Sequence, residues 1–111
     1  MIKMEKGEIW VVDIPKTNGH EQRGTRPVVL LAKLEANIAI VIPCTSNLKS
    51  LRFSNVLEIS PSPNNGLKEN SVALVFQLRA IDKKRLIKKI GTLSSKSMSR
   101  IDSMIFSMLN L

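Results

Sequence analysis

The sequence predicts a mainly β (α+β) fold, a small and partly open β-barrel carrying a C-terminal helix. Three observations point to it. Short β-branched runs recur between turn signals along most of the chain. Helical spacing of apolar residues is clear only near the C-terminus. The 111 residues, 43% hydrophobic and 23% charged, suit one globular domain over 1–111 and leave no room for a second core.

Ile9 to Ile14 is β-branched and aromatic, enters through Gly7 and is stopped by Pro15, which makes it the first strand. Pro27 launches Val28-Val29-Leu30-Leu31-Ala32, a nearly continuous apolar run of the kind buried on both faces. Over Ile38 to Cys44 the two-residue period puts Ile38, Ile40, Ile42 and Cys44 on one face, and Ala39, Val41 and Thr45 on the other. Phe53 to Ile59 is a weaker strand, and Pro61 to Gly66 is a turn-rich connector. Strand character resumes from Ser71 to Ile81. Alternation there groups Val72, Leu74, Phe76 and Leu78 towards the core, with Ala73, Val75, Gln77 and Arg79 opposite. Asp82 can cap a short basic turn, Lys83 to Ile90, whose cations face water. Ser94 or Ser95 then caps a helix with Met98, Ile101, Ile105, Met108 and Leu109 on its apolar stripe.

Lys and Arg exceed Asp and Glu by eight, so the chain attracts polyanions, with nucleic acid the default partner. No run is long enough to cross a bilayer, and Met1 to Lys6 lacks the apolar core of a signal peptide, so a cytoplasmic location and no membrane association are expected. The single Cys44 excludes an internal disulfide and reads as a small buried hydrophobe. One histidine is too few for a His-based zinc site, and no phosphate-binding loop or Gly-x-Gly-x-x-Gly occurs, so neither metal nor cofactor is expected.

The densest chemistry lies in Gly19-His20-Glu21-Gln22-Arg23-Gly24-Thr25-Arg26-Pro27, between the first two strands. An imidazole, a carboxylate and two guanidiniums in one loop are what an enzyme needs to move protons and stabilise charge on a phosphodiester. The same loop also reads as a solvated surface segment. Gln77 and Arg79 could line a groove or simply face water. Thr45 or Ser46 as a hydrolase nucleophile with His20 lacks the surrounding sequence of a nucleophile elbow.

Taken in order, Gly7-Glu8-Ile9-Trp10, the Gly19 to Pro27 loop, Ile42-Pro43-Cys44-Thr45-Ser46, Gln77-Leu78-Arg79-Ala80-Ile81-Asp82, and Arg85-Leu86 through Ile90-Gly91 follow the pattern of the MazF/PemK/Kid toxins. The chain resembles this family over nearly its whole length. The resemblance implies an SH3-like barrel with a C-terminal helix, a homodimer, and metal-independent cleavage of single-stranded RNA or mRNA at short sequences, leaving 2′,3′-cyclic phosphate and 5′-OH ends. It also implies a cognate antitoxin whose acidic tail lies in the basic groove.

Under the same resemblance Arg26 matches the family's transition-state arginine and Thr45 the threonine that hydrogen-bonds the scissile phosphate. His20 matches a Kid-type histidine, and Glu21 is the competing base. Gln22, Arg23, Ser46, Gln77 and Arg79 are expected to contact RNA. Family members often carry an acid immediately before the glutamine aligned with Gln77, and the Kid branch an arginine two positions earlier. Here those positions hold Phe76 and Leu74, which moves catalytic weight to Glu21, Arg26 and Thr45. Phe76 is expected in the core, with base stacking as the other reading. The barrel is shared with CcdB-like toxins that bind DNA gyrase, so a binding-only toxin and a non-catalytic RNA- or antitoxin-binding relative are the alternatives.

Overall fold

The computed structural model describes residues 3–14 and 24–111. The strands are β1 (Glu8–Ile14), β2 (Gly24–Lys33), β3 (Ile38–Thr45), β4 (Val56–Ile59), β5 (Ser71–Leu74), β6 (Arg79–Asp82) and β7 (Leu86–Thr92), followed by helix α1 (Ser95–Met108). They form one antiparallel sheet in the order β4-β5-β3-β2-β1-β7, with β6 also on β3. Because β4 and β7 end that path, the barrel stays open, as the sequence predicts.

Alternation along the central strands divides the apolar residues between two clusters. Ile9, Val29, Ile42 and Cys44 pack with Leu57, Ala73, Val75 and Ile101, whereas Trp10, Val12, Val28, Leu30, Ala39 and Val41 form the second group. The run Val28 to Leu30 is apolar without interruption because it feeds both clusters in turn. Helix α1 covers the first cluster through Met98, Ile101, Met104, Ile105 and Met108. The Ser94 hydroxyl caps it by accepting the Ser97 amide at 3.1 Å. Leu109, expected on the apolar stripe, lies beyond the last turn and is 55% exposed.

The expected Ser71 to Ile81 strand is instead two strands separated by a 3-10 turn, Val75–Gln77. Residues paired to β3 sum to 117 for Cys44 with Ala73 and to 120 for Val41 with Arg79, so three extra residues stand opposite Ile42 and Pro43. This insertion rotates the side chains. Val72, Ala73 and Val75 are buried, and Phe76, expected in the core, is exposed. Asp82 does cap the next turn, accepting the Lys84 amide at 2.9 Å, but that turn ends at Arg85 and the rest of the expected basic turn is strand β7. The weak strand after Phe53 is confined to β4, because Leu48–Arg52 forms a second 3-10 turn and Asn55 takes a left-handed φ of 60°.

One buried carboxylate ties the first strand to the last. Glu8, 4% exposed, accepts Trp10 Nε1 at 2.9 Å and pairs with Lys89 Nζ at 3.2 Å. Burial pushes its pKa up, but the hydrogen bonds from Trp10, the backbone and Lys89 outweigh that and hold the carboxyl below its ordinary value. A depressed folded-state pKa contributes stability that is present above the unfolded value and lost as pH falls through the folded one.

Two stability outcomes are expected. Ile101→Ala, which opens a void where α1 meets the sheet, lowers unfolding free energy by about 2–5 kcal/mol, read by denaturant titration. In Glu8→Gln the fall in Tm between neutral pH and about pH 3 is smaller than in the parent protein, since one acid-sensitive anchor is gone; equal acid losses in the two proteins would contradict this role.

Candidate active site

At one end of the sheet a groove of about 690 Å³ opens over the N-terminal end of β2, the C-terminal end of β3 and the middle of β7. The register builds its floor. Val11 opposes Pro27 on one side and Lys88 on the other, and cross-strand partners share a face, so Pro27, Val11 and Lys88 form a row. Arg26 is one residue before this row and half-buried. The pairing of Val28 with Pro43 continues towards the end where Cys44, Thr45 and Ser46 line the same groove.

The fourth wall is the loop after β4, and Asn65 organises it. Its side chain is buried; Oδ1 accepts the amides of Ser62 and Leu67 at 3.1 and 3.0 Å, and Nδ2 donates to the Ser60 carbonyl at 2.9 Å. Two glycines let this loop lie against β7. Gly66 has a φ of +71°, and a Cβ there would stand 2.1 Å from the Ile90 carbonyl oxygen. A Cβ on Gly91 would meet the Asn65 carbonyl carbon at 2.3 Å. The Thr92 amide then bonds the Asn64 carbonyl at 2.8 Å, and the loop presents Lys68 and Glu69 to the groove.

Thr45 is held in a defined role at the strand end. Its Oγ1 accepts the Asn47 amide at 3.1 Å, and Asn47 Oδ1 in turn accepts the Lys49 amide at 3.1 Å to start the 3-10 turn. A hydroxyl that accepts from backbone keeps its own hydrogen for donation. Cys44 contributes no nucleophile, because burial pushes its thiol up to about 12. This agrees with its reading as a small core residue. Among the described residues no group of three His, Cys, Asp or Glu side chains is placed to hold a metal ion.

The structure therefore brings Arg26, Thr45 and Ser46 into one groove across the sequence gap between β2 and β3. It does not bring Gln77 and Arg79 there. Gln77 is exposed on the 3-10 turn, and Arg79 lines a separate cavity of about 310 Å³ with Arg85, Asp13 and Asp82. His20, Glu21, Gln22 and Arg23 lie outside the described residues. Lys68 and Lys88 are the groove cations that the sequence reading missed. Lys88 was hidden in a stretch expected to be a solvated turn, and only the register of β7 against Val11 reveals its face. Lys68 follows the turn-rich connector and carries no local signal.

Comparison with known proteins identifies the family and the fold. Residues 5–109 match the family model described as a PemK-like, MazF-like toxin of type II toxin-antitoxin systems. The chain is 32% identical to an endoribonuclease MazF of Staphylococcus saprophyticus over 106 residues, 92% of this chain and 88% of that protein. Its fold is that of MazF in the MazE-MazF crystal structure from Deinococcus radiodurans, with a TM-score of 0.76 at 19% identity over 97% of this chain and 96% of that one. The Mycobacterium tuberculosis toxin MazF-mt6 superposes with a TM-score of 0.72 at 19% identity, covering 94% and 97%. On the extent of the family match and the identity to the staphylococcal relative, the chain belongs to the PemK-like, MazF-like toxins of type II toxin-antitoxin systems.

Proposed function

We propose that this protein is the toxin of its module, a metal-independent endoribonuclease that cuts single-stranded RNA in the groove shared by β2, β3 and β7. One observation carries the reading. Arg26 and Thr45, supplied by different strands, line a single open groove together with Lys68 and Lys88. Residues 1–111 act as one domain in this scheme.

Cleavage begins with the ribose 2′ oxygen attacking the adjacent phosphorus, its proton passing to a base. The bond to the 5′ oxygen breaks, that oxygen takes up a proton, and a 2′,3′-cyclic phosphate remains. Arg26 offsets the charge that develops on the non-bridging oxygens; a guanidinium is too weak an acid to serve well as the proton donor. The Thr45 hydroxyl donates to the same phosphate, its orientation fixed by the Asn47 amide. His20 and Glu21 are the candidates for base, and Gln22, Arg23 and Ser46 for contacts to flanking RNA. The nucleophile belongs to the substrate, so no metal-bound water has to be generated.

Lys68 and Lys88 extend the positive surface along the phosphate path. A homodimer follows from family membership, and an antitoxin with an acidic segment suits a chain of net charge +8. The Deinococcus radiodurans structure pairs MazF with MazE, which supports that arrangement here.

In EDTA, the purified protein is expected to cut a long single-stranded RNA at discrete positions. Arg26→Ala should lower kcat by about 10²–10³ and Thr45→Ala by a smaller factor, in variants that circular dichroism shows to be folded at the assay temperature. Intact RNA in the presence of folded parent protein would refute the enzyme assignment and leave a binding-only toxin. Lys68→Ala and Lys88→Ala act differently. Each should raise KM and reduce the slope of log affinity against log salt by about 0.7 if one phosphate contact is lost, whereas a change confined to kcat would remove them from the binding path.

A further inference from the structure

Among the described residues three polar or charged side chains are buried, Glu8, Asn65 and Ser71. Glu8 ties β1 to β7 through Lys89. The other two bracket a single groove cation. Asn65 Oδ1 accepts the Leu67 amide at 3.0 Å, one residue before Lys68, and the Ser71 hydroxyl donates to the Glu69 carbonyl at 3.1 Å, one residue after it. Burying a carboxamide costs free energy unless its polar atoms are paired. Asn65 makes three of the four hydrogen bonds open to such a group, to Ser60, Ser62 and Leu67, so one side chain fills the inside of the connector between β4 and β5.

That connector, residues 60–70, leaves the β4–β5 hairpin at its Ile59–Ser71 end, away from the 3-10 turns beyond the Val56–Leu74 end. It contains no helix or strand, so side-chain bonds and anchors on neighbouring elements set its shape. Two anchors are present. The Asn64 carbonyl accepts the Thr92 amide of β7 at 2.8 Å, and the Leu67 side chain is buried in the first apolar cluster. Asn65 joins these anchors and carries their placement to the next residue, Lys68. An aliphatic side chain of similar size would leave the Ser62 and Leu67 amides and the Ser60 carbonyl without this partner, so the connector uses the chemistry of the amide and not only its volume. Lys88 supplies the contrast, because its place in the groove is set by the register of β7 against Val11.

We propose that Asn65 is a positioning residue for substrate, holding Lys68 in the groove where its ammonium meets an RNA phosphate. This inference rests on the RNA reading above and adds to it the device that presents one of the groove cations. A lysine on an unconstrained connector would lose backbone entropy each time RNA bound, whereas a backbone ordered in advance has already lost it in folding. Asn65 itself touches no substrate and acts only through Lys68.

A double-mutant cycle separates this role from a general loss of stability. Single-stranded RNA, made uncleavable by a 2′-deoxy sugar at the mapped cut, is titrated by fluorescence anisotropy against the parent protein, Asn65→Ala, Lys68→Ala, Lys88→Ala, and each lysine variant combined with Asn65→Ala. In the parent, Lys68→Ala and Lys88→Ala should each raise Kd by roughly 5- to 20-fold. In the Asn65→Ala background Lys68→Ala should change Kd by less than about 2-fold, while the Lys88→Ala factor is retained. Asn65→Ala alone should reduce the slope of log affinity against log salt by about 0.7, as Lys68→Ala does. Additive effects of Asn65→Ala and Lys68→Ala overturn the proposal even if RNA is bound and cut. Loss of both lysine effects overturns it too, since the damage then reaches beyond the connector. Should circular dichroism show Asn65→Ala to be unfolded, Asn65→Asp takes its place in the same cycle: its carboxylate still accepts the Ser62 and Leu67 amides, and only the bond to the Ser60 carbonyl is lost. If unmodified RNA binds with the coupled pattern yet stays uncut, the positioning role stands and the enzyme reading falls. If no RNA binds the folded parent, both fall.

Discussion

Strand β3 is the constraint on which the other elements depend. One of its edges is occupied by β2, and the other is divided between β5 at the Thr45 end and β6 at the Ile38 end. Both faces are buried, with Ile42 and Cys44 in one apolar cluster and Ala39 and Val41 in the other. A one-residue slip would exchange the two faces and strand a differently shaped side chain in each cluster. Register is therefore set from both sides at once. Thr45, at the end of this strand, is placed by the same packing that forms the core, so the groove inherits the rigidity of the sheet.

The divided edge of β3 also explains where the sequence is a good guide and where it is not. β1, β2, β3 and α1 are legible because their periodicity reports burial directly, as the run Val28 to Leu30 and the Ser94 cap show. The break at Val75 is not legible. Its cause is the transfer of pairing from one end of β3 to the other, opposite Pro43, which has no amide hydrogen to give. Alternation extrapolated across that break puts Phe76 inside, and three inserted residues put it outside. β7 fails for a related reason. Lys88 and Lys89 look like solvated charge until Val11 and Trp10 are known to lie opposite them.

The candidate site divides along the same line. Arg26 and Thr45 can be nominated from the order of motifs, since each is part of a short stretch with its own character. Their meeting in one groove, and the addition of Lys68 and Lys88, depends on contacts between residues remote in the chain. Gln77 and Arg79 show the reverse. They belong to a motif that suggests shared function, yet the turn at Val75–Gln77 sends Arg79 to a cavity where Asp13 and Asp82 accompany its charge. Proximity in sequence is a poor measure of proximity in a sheet whose strands change partners.

The positive charge of the molecule is thus not spread as a uniform field. In the second cavity Arg79 and Arg85 are accompanied by two carboxylates, so its local balance is near neutral. Among the described residues, the main groove is lined by Arg26, Lys68 and Lys88 together with the single carboxylate Glu69. Glu8, on the same strand as the groove residue Val11, is buried and already engaged by Trp10 and Lys89. Its pairing removes a negative charge from competition with substrate and uses Lys89 for structure while its neighbour Lys88 faces the groove. Adjacent lysines on one strand point to opposite faces, and the period of two turns Lys89 towards Glu8 and Lys88 towards the groove.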